Sequence, residues 1–131
     1  GVLDQIPFIL GALKKSPLVL RRAVEALILA VNWETTSVAN EASHTVGSDD
    51  VVIMSGHSAT ITLPTLADGR VLVIKDTSGA AGTTGQAITV NRAGSDTIEG
   101  SSTSFSLAAD YGAAVFVGDG ATSKWHIIAL V

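Results

Sequence analysis

The 131-residue chain has no cysteine. Disulfides, thiolate nucleophiles and Cys-based zinc sites are therefore excluded, and packing and strand pairing must hold the fold. Charge is scarce as well. Asp, Glu, Lys and Arg make up 15% of the residues, against roughly 25% in ordinary soluble domains, so much of the polar surface has to come from Ser, Thr, Gly and backbone. Long apolar runs are missing too. The longest in the N-terminal region, Ala26–Val31, falls far short of the roughly 20 residues that a membrane-spanning helix needs. Glu25 and the pair Arg21-Arg22 interrupt the same region, which does not read as a signal peptide.

What the chain has is apolar surface. Hydrophobic residues make up 47% of it, and the mean hydropathy is +0.43. A domain this small buries a modest share of its surface, so burial in an oligomer or against a larger assembly is expected. Charge divides the chain in two. Residues 1–33 carry Lys14, Lys15, Arg21 and Arg22 against Asp4 and Glu25, a net +2, whereas residues 34–131 carry four basic and ten acidic residues, a net −6. An acidic body argues against nucleic-acid binding, which requires clustered Lys and Arg. The expected organisation is an apolar, helical anchoring arm over 1–33 followed by a β body over 34–131.

The arm's helix start is written at Ser16-Pro17, an N-cap residue followed by proline at the first helical position. Leu20, Val24, Leu27 and Val31 then fall at 4-3-4 spacing, a short heptad seam. Before the helix, Ile6, Phe8, Ile9, Leu10 and Leu13 cluster around Pro7 and Gly11. Such a cluster suits either packing beneath its own domain or docking into a partner's groove.

Beyond Trp33 the composition turns to Ser, Thr and Val, and strands are predicted over 50–54, 58–63, 70–76, 86–91, 102–107, 113–118 and 124–130. Their number and spacing predict an antiparallel, jelly-roll-like β-sandwich. Alternation places Ile61 and Leu63, Ile88 and Val90, Phe105 and Leu107, Val115 and Val117, and Trp125, Ile127 and Ala129 on inward faces. The run Val71–Ile74 is apolar on both faces. That marks a central strand, or one whose outer face meets another subunit.

Motifs for chemistry are weak. His44, His57 and His126 lack metal-ligand spacing, and no G-x-S-x-G elbow accompanies Ser55-Gly56-His57-Ser58. The acids at Asp49-Asp50, Asp96 and Glu99 read as turn chemistry. Gly79–Gly85 lacks the Lys-Ser/Thr ending of a phosphate-binding loop and reads as a flexible hairpin loop. At its tip Thr83, Thr84 and Gln86 are candidates for recognition.

The order of elements resembles a β module of phage tail-fibre, head-fibre and other virion-surface proteins. The resemblance lies in Ala59-Thr60-Ile61-Thr62-Leu63-Pro64, Gly69 to Asp76, Ile88-Thr89-Val90, Asp96-Thr97-Ile98-Glu99-Gly100, Phe105-Ser106-Leu107, Tyr111 to Val117, Gly118-Asp119-Gly120 and Trp125-His126-Ile127-Ile128. It covers about residues 50–130. It implies a non-enzymatic homotrimer on the virion exterior without cofactors. One module behind one arm suits a capsid decoration or head-fibre protein, with Ile6, Phe8, Ile9, Leu10 and Leu13 against the major capsid protein and Leu20, Val24, Leu27 and Val31 at the trimer contact. The alternative is a tail-fibre or adhesin module that binds a host-surface glycan or protein through the 77–86 loop. The absence of any aromatic within that loop weighs against sugar stacking. Replacing Leu27 by Asp places an unpaired charge in an apolar seam; light scattering is expected to show loss of the oligomer, and an unchanged mass would remove the seam from the subunit contact.

Overall fold

The computed structural model describes Leu18, Arg22 and residues 33–131. The expected anchoring residues Ile6, Phe8, Ile9, Leu10 and Leu13 and the seam Leu20, Val24, Leu27 and Val31 lie outside the described residues. The chain falls into two compact units, Gly1–Trp33 and Glu34–Val131. The second holds ten strands: β1 (Thr35–Val38), β2 (Ser43–Thr45), β3 (Val52–Ser55), β4 (Thr60–Thr62), β5 (Val71–Asp76), β6 (Ile88–Asn91), β7 (Thr97–Ile98), β8 (Ser104–Leu107), β9 (Ala113–Asp119) and β10 (Lys124–Leu130).

The body is mainly β, as predicted, but its sheets are mixed where antiparallel ones were expected. One has six strands in the order β1-β3-β5-β9-β10-β7, the other four in the order β2-β4-β6-β8. Along the chain, β1 to β8 alternate between the two sheets. Through β6, each strand therefore returns beside the one two places earlier, running the same way. The pairs β1-β3, β3-β5, β2-β4, β4-β6 and β7-β10 are parallel; only β5-β9, β9-β10 and β6-β8 are antiparallel. The first three turns thus form a coil of β-strand in place of a jelly roll. Thr35 pairs with Val52 and Ser43 with Thr60, an offset of 17 residues in both sheets (52 − 35 and 60 − 43). Alternation within a strand says which face is buried and nothing about the direction of its neighbour. Turn-like segments such as Ser55-Gly56-His57 are therefore open to reading as hairpins. They are corners between sheets, and the Gly79–Gly85 segment is likewise a crossover from β5 to β6 rather than a hairpin.

The core lies between the sheets. Ile53 and Ile74 in the larger sheet face Ile61 and Val90 in the smaller one, all fully buried. Phe116 contacts Phe105 across the gap edge-to-face, with centroids 5.8 Å apart, a favoured aromatic geometry. Strand β5 is central, between β3 and β9, as its doubly apolar pattern predicts. The predicted inward pair Val115 and Val117 faces outward, and Ala114 and Phe116 are the buried ones. Every residue from Ala113 to Val117 is apolar, so alternation had no polar marker, and the largest side chain took the core. Ala129 also departs from the predicted face. A bulge between Ile127 and Ala129 shifts the register, and such an insertion reverses the facing of the residues beyond it.

The outer surfaces contrast. On the smaller sheet the outward rows are Ser43–Thr60–Thr89–Ser106 and Thr45–Thr62–Asn91–Ser104, which realises the hydroxyl-rich surface that low charge requires. On the larger sheet the outward positions include Val71, which is exposed, and Val73, Val115 and Val117, which are half-buried; Val52, paired with Val73, is buried. Truncating Phe116 to Ala is expected to cost about 3–5 kcal/mol, read as a lowered urea midpoint; a change below about 1 kcal/mol would mean that Phe116 does not hold the two sheets together.

Candidate functional site

Strands β1, β3 and β5 end at one edge of the body, where β9 begins. The connectors meeting there are 39–42, 56–59, 77–87 and 108–112. They stack as the strands do: Gly56 N donates to Val38 O at 2.8 Å, Thr77 N to Ser55 O at 2.9 Å, and Glu41 N to His57 O at 2.8 Å. Gly56 permits this closeness, since a Cβ there would stand 2.2 Å from Asn40 Oδ1. Between the corners lies an open cleft of about 700 Å³. Asn40, His57, Thr77 and Ser78 contribute its polar lining, and Val38, Ala39 and Ala80 its apolar part.

The longest connector, 77–87, is fixed by Asp76, which is fully buried. Its carboxylate accepts from Ser78 N at 2.9 Å, Ser78 Oγ at 2.6 Å, Ala81 N at 3.2 Å and Tyr111 N at 3.0 Å. Burial by itself would raise the Asp76 pKa. The bonds from Ser78, Ala81 and Tyr111 outweigh it and hold the carboxyl below its ordinary value. The same carboxylate thus binds two loops that are distant in sequence. Asp110 adds a second tie, accepting from Gly82 N at 2.8 Å.

Tyr111 is the residue that the sequence reading passed over. It sits in the turn between β8 and β9, 65% exposed, with φ of 53°, a conformation uncommon for a bulky residue. Asp76 holds its amide, and Lys75 Nζ donates to its carbonyl. The Lys75 ammonium also lies 5.5 Å from the ring centroid. The ring rests against Gly79, where a Cβ would come within 2.3 Å of Tyr111 Cζ. An aromatic therefore stands beside the 77–86 loop although none lies within it. The signal was present in Asp110-Tyr111-Gly112, an aromatic set in a turn between two strands. Of the tip candidates, Thr83 and Thr84 are exposed and Gln86 is half-buried. Ser58 N donates to Gln86 O at 2.9 Å and Thr83 N to Ala80 O at 3.0 Å, so backbone bonds tie this tip down.

The opposite edge gathers a different cluster. Asp50 accepts from Thr36 Oγ1, from Gly47 N at 2.8 Å and meets His44 Nε2 at 2.8 Å. Arg70 donates to the carbonyls of Gly47 and Asp50 at 2.8 and 2.7 Å. Burial would raise the Asp50 pKa; the hydrogen bonds from Thr36, Gly47 and His44, with the charge of His44, turn the balance and lower it. A nucleophilic triad needs the imidazole between hydroxyl and carboxylate. Here the carboxylate is the hub and the hydroxyl bonds directly to it, which makes a clamp and leaves no activated nucleophile. His57 Nδ1 lies 3.3 Å from Ser58 Oγ, but no carboxylate orients that ring among the described residues. His126 pairs with Asp119 at 3.2 Å, in the β9–β10 hairpin.

No protein-family model matches the chain, and no curated protein matches it.

Replacing Asp76 by Ala deprives three backbone amides of their acceptor and is expected to cost on the order of 3 kcal/mol, measured by urea unfolding. Because the folded carboxyl titrates below its unfolded value of about 3.9, its contribution is present above that pH and lost as pH falls through the unfolded and then the folded value. The urea midpoint of the unaltered chain is expected to fall below about pH 5, more steeply than that of Asp76→Ala; parallel curves would show that Asp76 does not couple protonation to folding.

Proposed function

We propose that the chain is a non-enzymatic structural protein of a phage virion: a homotrimeric capsid decoration or head-fibre protein on the capsid exterior, its segment 1–33 bound to the major capsid protein and its β body projecting. The observation that carries this reading is the contrast between the two outer sheet faces. Two adjoining Val pairs on the larger sheet, Val71–Val117 and Val73–Val115, with Val71 exposed and the others half-buried, favour coverage by another copy. The hydroxyl rows of the smaller sheet suit solvent. The resemblance of the sequence to virion-surface β modules supports the same reading, as does the use of titratable side chains in clamps. Light scattering is expected to return about three times the chain mass of 13.3 kDa, and a monomer at micromolar concentration would overturn the trimer. Deleting residues 1–15 is expected to leave a folded, soluble body that no longer cosediments with capsids; undiminished cosedimentation would remove the anchoring role.

A second reading has its own support. The exposed Tyr111 beside the 77–86 loop supplies the aromatic that the loop itself lacks, and so favours a host-surface-binding module that takes a glycan or a protein at the corner edge.

A further inference from the structure

We infer that the corner edge binds a neutral carbohydrate, with one sugar ring stacked on Tyr111 and its hydroxyls directed to the polar groups of the adjoining cleft. The inference rests on the second reading above and names its ligand class. Three features carry it.

The first is the state of the aromatic. Tyr111 is exposed in a left-handed conformation and pinned through both its amide and its carbonyl, by Asp76 and Lys75. A backbone held so firmly in a sparsely populated region, with the ring resting against Gly79, lowers the ordering cost that a mobile side chain incurs on binding. The apolar C–H face of a pyranose is complementary to such a ring, which is apolar over its face and polar at its tip.

The second is the neighbourhood. Gly79 places bare backbone against the ring, and Ser78 next to it lines the cleft. Asn40 spends its Oδ1 on His57 N at 3.1 Å, while among the described residues nothing takes its amide NH2. His57 engages Ser58 through Nδ1, which leaves Nε2 for a hydroxyl. Thr77 Oγ1 donates to Ser55 O at 3.1 Å and keeps its lone pairs as acceptors. Donors and acceptors beside an aromatic match the alternating hydroxyl and C–H surfaces of a sugar.

The third is charge. Among the described residues the cleft lining has no Asp, Glu, Lys or Arg, and the Lys75 ammonium near the ring is engaged by the Tyr111 carbonyl and the ring itself, which favours an uncharged saccharide over a phosphorylated or acidic one. It also provides no acid–base pair for cleavage, so the site binds without turnover.

The test uses the full chain, labelled with nitrogen-15 and titrated with the methyl glycosides of glucose, galactose and N-acetylglucosamine. Dose-dependent shifts are expected at the amides of Ser78, Gly79 and Tyr111. Tyr111→Phe should retain them, and Tyr111→Ala should weaken affinity about tenfold. Asp76 grips the backbone amide of residue 111 whatever its side chain, and an unchanged urea midpoint of Tyr111→Ala verifies the fold. Silence at these amides with all three glycosides, or equal affinity in Tyr111→Ala, overturns the proposal. A second arm measures binding of the chain to a panel of bacterial envelopes, with and without periodate or protease treatment. Loss on periodate alone supports a carbohydrate. Loss on protease alone overturns the carbohydrate and leaves host-surface binding standing, whereas binding to none of the envelopes overturns host-surface binding itself.

Discussion

The organising interaction in this body is the hydrogen bond from a backbone amide to a carboxylate. Asp50, Asp68, Asp76, Asp96, Glu99, Asp110 and Asp119 each accept at least one. Seven of the ten acidic residues of 34–131 are thereby committed to loops. In a chain without disulfides they take over part of the cross-linking role, joining segments as far apart as Asp68 and Gly120. Asp76 does so at the greatest depth. Fully buried, it is tolerated because its oxygens are satisfied, and an ionised acceptor makes stronger bonds than a neutral one. Release of that carboxylate would free the 77–87 crossover and the Tyr111 turn together, so the candidate site stands or falls with it.

The coil explains why the site lies where it does. Strands in a hairpin share their turn with one neighbour only, but corners in a coil stack on each other, and three successive connectors lie side by side with the turn before β9. The connector lengths are unequal. The smaller sheet's register advances by 17 residues from Ser43 to Thr60 and by 29 from Thr60 to Thr89. Much of that excess is the 77–87 segment. The third turn thus carries the extra chain from which the corner edge is built.

Local elements were legible in the sequence to a large degree. All seven predicted strand segments overlap a strand, because their alternation and bounding Gly, Asp and Ser are local signals. Strands β1, β2 and β7 were not predicted as such: Thr35–Val38, Ser43–Thr45 and Thr97–Ile98 hold at most one apolar residue each and, unlike Ala59, Ile61 and Leu63 around β4, sit in no run of alternating apolar positions. Direction of pairing was illegible for a different reason. It depends on which sheet each corner leads to, and Ser-Gly-His-Ser serves a corner as well as a hairpin. The candidate site split in the same way. The 77–86 loop was visible from its glycines, whereas Tyr111 joins it through Asp76, a contact spanning 35 residues, and through Gly79, which no local pattern encodes.

The equal 17-residue offset of the first two turns has an evolutionary consequence. A duplication of that length would add one strand to each sheet and lengthen the body by about 4.8 Å, the spacing between neighbouring strands. Inward apolar and outward hydroxyl positions would continue in phase, and the third turn with its Asp76-held loops would be carried along unchanged. Such a molecule can grow in whole units of height while the loops built on its third turn stay the same.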